Sequence, residues 1–113
     1  MLPKLYRLTG QRNFKLIAER GRALFLKELG IKWLENNLAN SRFAFVVSTQ
    51  IDKRAVVRNK IKRRLREIIH QNLKNIESGF DLMFLTRLAI KNLEYKDLVK
   101  LVEQLLVRAQ LIK

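Results

Sequence analysis

The hydrophobic positions of the chain recur with two different periods, and each period predicts a different kind of element. Near the start, helical spacing predicts a helix that is capped by Thr9, reaches about Arg20 and stops at Gly21. Its apolar face carries Phe14, Ile17 and Ala18. Residues 22–35 alternate between apolar and polar positions, which predicts extended chain with an irregularity at Gly30.

The second half of the chain repeats this mixture of periods. Polar residues 36–41 predict a hairpin turn, and residues 42–48 form the clearest strand in the sequence. Asp52 is expected to cap a long helix that reaches about residue 73. The nearly continuous apolar run 80–87 has strand length, and Asn92 is expected to cap a last helix.

The order of these elements predicts an α+β fold, a two-layer sandwich with helices mainly on one side of a mixed sheet. At 113 residues and 48% hydrophobic content, we expect a single domain, residues 1–113, with a sizeable core. The absence of cysteine excludes disulfides and thiolate metal sites. No signal-peptide pattern and no apolar run of about 20 residues is present, so we expect a cytoplasmic protein without a membrane partner.

The long helix has the most distinctive charge pattern. Eight of the fourteen residues from Lys53 to Arg66 are basic and none is acidic. At about 100° per residue, its apolar positions form one stripe. This stripe consists of Val57, Ile61, Leu65 and Ile68, with Ile69 on its flank. The opposite face carries Asn59, Lys62, Arg63 and Arg66, with Arg58 and Lys60 at the borders.

Such a concentration of positive charge indicates a polyanionic partner. Like-charged pairs at i,i+4 each destabilise an isolated helix by roughly 0.2–0.5 kcal/mol. With a net charge of +14 and a pI near 10.8, nucleic acid is the first candidate and an anionic membrane surface the second. A merely solvated helix face and a partner-binding amphipathic helix are the other interpretations.

The spacing within this helix is more specific than its charge. The segment Arg58-Asn59-Lys60-Ile61-Lys62-Arg63-Arg64-Leu65-Arg66 resembles the RNR signature of the bacterial ribonuclease P protein family. Three further segments are similar to patterns of that family. They are the opening Leu2-Pro3-Lys4, the set Phe14, Ile17, Gly21 and Arg22, and the strand from Asp81 to Arg87.

The resemblance implies a mixed four-stranded sheet with about three helices and a βαβ crossover that contains the basic helix. It also implies a protein subunit of ribonuclease P, the ribonucleoprotein endonuclease that removes the 5′ leader of precursor tRNA. In this family the RNA subunit carries the chemistry with Mg²⁺, so the chain is expected to supply no catalytic residue and no metal ligand. The partners implied are the catalytic RNA and precursor tRNA.

The resemblance assigns two surfaces to the chain. The catalytic RNA is expected to contact Arg58, Asn59, Lys60, Lys62, Arg63 and Arg66. The single-stranded leader is expected to contact Phe14, Phe45, Trp33 and Lys32. From the sequence alone, the aromatic residues fit a core as well as a stacking surface. Strand register decides between Trp33 and Lys32, because a slip of one residue exchanges the faces.

A catalytic site on the protein itself has little support in the sequence. His70 is the only histidine, and it is expected on the solvent side of the basic helix, either as a surface residue or as a phosphate contact. The chain has no glycine-rich phosphate loop. A basic structural protein that binds ribosomal RNA is the alternative function, which the charge fits but the motif does not.

Overall fold

The computed structural model describes residues 2–113, which form a four-stranded mixed sheet and three α-helices. The helices are α1 (Gln11–Arg20), α2 (Ala55–Asn72) and α3 (Tyr95–Arg108). The strands are β1 (Arg22–Phe25), β2 (Leu29–Glu35), β3 (Arg42–Val46) and β4 (Phe80–Thr86). The sheet order is β1-β2-β4-β3, with only the β3–β4 pair parallel. The α+β class is confirmed, and α2 lies in the crossover between the two parallel strands.

The extended segment 22–35 is a β-hairpin, whose turn the sequence pattern did not reveal. The turn closes where the Leu26 N–H donates to the carbonyl oxygen of Leu29 at 2.9 Å. Gly30 is a regular position of β2, paired with Phe25 and Leu85, so the expected irregularity is wrong. A Cβ on Gly30 would lie 2.1 Å from the Phe25 ring, which explains why glycine fits there.

All three predicted helix caps are wrong by one or two residues. Helix α1 begins after Gly10, whose φ of 94° makes an entry turn that residues with a side chain rarely adopt. Helix α2 begins after Arg54, and α3 begins after Glu94, which forms a capping box with Asp97. Local side-chain chemistry alone does not determine a cap, because the entry angle of the chain depends on what the helix packs against.

The main core lies between one face of the sheet and helices α2 and α3. The alternation in β2 places Leu29, Ile31 and Trp33 in this core. From α2, the stripe of Ile61, Leu65, Ile68 and Ile69 is buried there as predicted, with Val57 partly buried at its edge. The apolar side of α2 is therefore used by the fold, which removes it from any membrane or partner-binding role.

Helix α1 packs against the other face of the sheet. A smaller cluster there contains Leu8, Ile17, Ala44 and Met83, and Phe14, Leu34 and Leu85 pack against it. Ala18, expected on the apolar face of α1, is exposed. Gly21 ends the helix as predicted, because a Cβ there would lie 2.5 Å from the carbonyl oxygen of Ile17. The sheet thus has one covered face and one face that a ten-residue helix shields only in part.

Candidate nucleic-acid interface

The outer face of α2 is a strip of basic side chains directed away from the core. Asn59, Lys60, Arg63 and Arg66 are exposed, while Arg58 and Lys62 are half-buried. Lys60 therefore lies further from the core than its predicted border position, and Lys62 lies closer. His70 is exposed and lies in the same shallow groove as Asn59, Arg63 and Arg66.

The charges on this face are not neutralised by the protein. The five ion pairs found among residues 2–113 involve none of the basic side chains from Arg58 to Arg66. Glu67 is the one acidic side chain that lines the groove. Lysine and arginine side chains held close together without acidic partners favour a phosphate backbone, which supplies the missing negative charge.

Arg58 differs from its neighbours because it also bonds to the protein. Its Nη1 donates to the carbonyl oxygens of Asp52 and Lys53, at 3.1 and 2.7 Å. These bonds attach the first residue of the motif to the loop that precedes α2. Arg58 therefore presents its remaining guanidinium donors from a constrained position, which the sequence pattern did not indicate.

Asp52 organises the same loop. Its Oδ1 accepts hydrogen bonds from the backbone N–H and the Nε of Arg54, at 2.8 and 3.1 Å. Its Oδ2 accepts from Arg54 Nη2 and from Lys91 Nζ, both at 3.0 Å. The Arg54 guanidinium, with smaller effects from the Arg54 N–H and Lys91, holds the pKa of Asp52 far below its ordinary value of 3.8. Asp52 is thus bound to the segment before α2 instead of capping the helix.

A second candidate surface lies where α1 crosses the sheet. Phe14 is half-buried against the small cluster on that face. Lys32 pairs with Met83, which belongs to the same cluster, so the β2 register places Lys32 on the α1 side. The structure therefore brings Phe14 and Lys32 to one face, and between Lys32 and Trp33 it is Lys32 that shares it.

Two other residues expected beside Phe14 lie on the opposite face. Trp33 is buried in the main core, and Phe45 packs against that core, its ring stacked on Phe84 with centroids 5.6 Å apart. The grouping of Trp33 and Phe45 with Phe14 in one cleft is wrong. The predicted alternation along β2 agrees with the structure, but the sequence did not indicate which side of the sheet α1 would cover.

The sequence analysis missed an exposed aromatic residue on the α1 face. Phe25, 46% exposed, lies over Gly30, and the Cζ atom of Arg87 is 5.8 Å from the centroid of its ring. The signal available in the sequence was an aromatic residue in a short extended segment, followed five positions later by glycine. That signal becomes interpretable only once the hairpin register is known.

The buried Asp81 belongs to the fold. It accepts two hydrogen bonds from Arg42, at 2.8 and 2.7 Å, and one from Asn36 Nδ2 at 2.9 Å. This pairing raises the pKa of Arg42. Asn36, Arg42 and Asp81 thus connect neighbouring ends of β2, β3 and β4.

Neither a metal site nor a membrane span is found within residues 2–113. No three histidine or acidic side chains there converge in a way that could hold a metal ion. In the same range, no helix is both long enough and apolar enough to cross a bilayer.

The mixed sheet, the crossover helix and its unpaired basic face define a class, that of small basic α+β proteins with a surface suited to polyanions. The family model of ribonuclease P matches residues 2–110. The chain belongs to the ribonuclease P protein family and has a subunit role in tRNA processing. The family match does not favour the ribosomal alternative.

Relatives and solved structures agree with this assignment. The ribonuclease P protein component of Picosynechococcus sp. is 32% identical over 109 residues, covering 96% of this chain and 94% of the relative. That of Rippkaea orientalis is 31% identical, covering 98% and 91%. The RNase P protein of Thermotoga maritima superposes with a TM-score of 0.84 at 29% identity, covering 90% of this chain and 96% of that one. A mutant RNase P protein from Staphylococcus aureus superposes with a TM-score of 0.90 at 26% identity, covering 96% and 91%.

Proposed function

We propose that this chain, as a single RNA-binding domain, docks on the catalytic RNA of ribonuclease P through the outer face of α2. The observation that supports this most directly is the strip of exposed basic side chains without acidic partners. Lys60, Arg63 and Arg66 are free to neutralise phosphates, and Asn59 lies among them. Arg58 lies at the start of this strip, and its hydrogen bonds to two carbonyl oxygens fix its position.

The face of the sheet beside α1 is proposed to hold the single-stranded 5′ leader of precursor tRNA. Phe14 offers part of an aromatic ring to solvent at the edge of the small cluster. Unpaired bases stack on such rings, and Lys32 on the same face is suited to a nearby phosphate. The protein would then position the substrate, while the RNA subunit and its Mg²⁺ perform the phosphodiester hydrolysis. A cytoplasmic location of the protein, expected from the sequence, is also proposed.

Reconstitution tests the proposal as a whole. Adding the protein to a bacterial ribonuclease P RNA at low Mg²⁺ should increase cleavage of the leader, because basic side chains replace part of the cation requirement of RNA docking. A protein that binds the RNA without changing cleavage at any Mg²⁺ concentration would contradict the proposed role.

Substitution of Phe14 tests the leader surface. Phe14→Leu retains most of the buried volume and removes the aromatic face, so it should weaken precursor tRNA binding by about 1–3 kcal/mol in the assembled enzyme. Binding of mature tRNA, which has no leader, should change little. The two affinities are compared in the same preparation, with thermal unfolding as the control. Wild-type affinity for precursor tRNA in this variant would make Phe14 a core residue only.

A further inference from the structure

One row of residues crosses all four strands on the α1 face of the sheet. The register pairs Phe25 with Gly30, Gly30 with Leu85, and Leu85 with Val46. At about 4.8 Å between strands, the row is about 14 Å long. Leu85 packs against the same cluster as Phe14, so the row passes beside the proposed leader surface. Phe25 and Val46 at its two ends are 46% and 39% exposed.

The ring of Phe25 packs directly on Gly30, which has no side chain. A Cβ on Gly30 would lie 2.1 and 2.4 Å from Cδ1 and Cε1 of the ring, so the ring occupies the space that a side chain would fill. Arg87 lies over this ring, yet Phe25 remains 46% exposed. The part of the ring that neither Gly30 nor Arg87 covers is therefore available to a partner.

Two basic residues, Arg87 and Lys32, lie on the same face of the sheet as this ring. The guanidinium carbon of Arg87 is 5.8 Å from the ring centroid. Two hydrogen bonds hold Arg87 in place. Its backbone N–H donates to the Glu28 carbonyl oxygen at 3.1 Å, and its Nη1 donates to the Leu26 carbonyl oxygen at 3.3 Å. Lys32 lies on the same face, one row closer to α1. Glu28 is the acidic residue of the adjoining turn. An aromatic ring beside fixed cations is complementary to a base and its phosphate.

We infer that Phe25 is a second stacking position for an unpaired base of the RNA leader, at the far end of the row from Val46. Leu85 is the apolar position of the row between the α1 cluster and the Phe25 ring, and Arg87 neutralises the adjoining phosphate. This inference rests on the proposed function, since it extends the leader surface from Phe14 across the sheet.

The test compares aromatic and aliphatic substitutions in the assembled enzyme. Phe25→Leu should weaken precursor tRNA binding about tenfold, within the range expected for loss of one base–aromatic stack. Phe25→Tyr keeps the ring and should stay within about twofold of wild type. Mature tRNA should bind all three proteins equally. With a series of precursors of increasing leader length, the loss in Phe25→Leu should appear only once the leader is long enough to reach the ring.

Parallel measurements on Phe14→Leu separate the two proposals. If Phe14→Leu weakens precursor binding and Phe25→Leu does not, the inference is overturned and the leader surface at Phe14 stands. If neither variant changes precursor binding, the leader surface itself is wrong. An equal loss for mature and precursor tRNA would also overturn the inference. So would a change in oligomeric state in Phe25→Leu with leader affinity unaltered, because the ring would then contact a second copy of the chain.

Discussion

At the scale of single residues, Arg58 and Arg63 have the same charge but different surroundings. Arg63 is exposed on the outer face of α2 and has no ion pair within residues 2–113. Arg58 is half-buried and donates to the carbonyl oxygens of Asp52 and Lys53. One arginine is therefore available to RNA alone, and the other also stabilises the fold.

This difference predicts separate outcomes for the two alanine variants. Arg63→Ala should weaken RNA binding, lower the dependence of log affinity on log salt by roughly 0.7–0.9, and change the free energy of unfolding by no more than about 0.5 kcal/mol. Arg58→Ala should have the same effect on the salt dependence and also lower the free energy of unfolding by about 1 kcal/mol, since it loses two hydrogen bonds. Urea unfolding and RNA titrations at several salt concentrations measure both. Equal stability of the two variants would show that the carbonyl bonds of Arg58 contribute nothing.

At the scale of elements, one carboxylate joins the start of α2 to a distant segment. Asp52 precedes the helix, while its partner Lys91 lies in the short 3₁₀ turn Leu88–Asn92 between β4 and α3. Because Arg54 and Lys91 both bond to Asp52, its side chain connects two elements that are far apart in sequence. The orientation of the basic helix therefore depends in part on an acidic residue.

The lowered pKa of Asp52 predicts a pH dependence of stability. The folded chain keeps this carboxylate ionised at a pH where the unfolded chain, with a pKa near 3.8, takes up a proton. The stabilisation is therefore complete above about pH 5 and is lost as the pH falls below that range. Asp52→Asn should be less stable than wild type at pH 7, and the difference should narrow towards pH 3.

Thermal unfolding of both proteins from pH 7 to pH 3 measures this difference. The control is Glu103→Gln, which removes an exposed carboxylate on α3 that has no ion pair within residues 2–113. It should remain close to wild type throughout. A constant gap between wild type and Asp52→Asn over the whole range would rule out the ionised carboxylate as the cause.

At the scale of the whole molecule, the sheet separates the two proposed RNA surfaces. Helix α2 packs on one face, and α1 with Phe14 packs on the other. The net charge of +14 attracts RNA to the molecule in general, whereas this arrangement allows different RNA segments to contact different sides. On the proposed function, the protein would lie between two RNA segments.

Separation by the sheet predicts that the two surfaces act independently. Arg63→Ala should weaken docking on the catalytic RNA and leave precursor tRNA binding by the saturated complex unchanged, whereas Phe14→Leu should do the opposite. In the double variant the two losses should add within about 0.3–0.5 kcal/mol, as for sites that share no contact. Titration of protein into the catalytic RNA measures docking, and titration of precursor tRNA into the complex measures substrate binding. A strong departure from additivity would show that the surfaces communicate through the sheet.

Local spacing along the chain was sufficient to predict the long helix and which of its sides is buried. The apolar stripe of α2 and the order of its basic residues repeat within a few turns, so both its buried side and its family resemblance could be recognised without a structure. The alternation of β2 likewise separated Leu29, Ile31 and Trp33 from their neighbours. Local periodicity contains this information because side-chain direction follows backbone geometry residue by residue.

Local spacing could not show which face of each strand meets which helix. Trp33 is buried on the α2 and α3 side, and Phe45 packs against the same core. Lys32 lies on the α1 side, because the pairing of β2 with β4 and the position of α1 are set by contacts distant in sequence. The exposure of Phe25 has the same origin, since its ring depends on the space above Gly30 across the hairpin. Strand register is set by non-local contacts, and a slip of one residue would exchange the proposed RNA surface with the core.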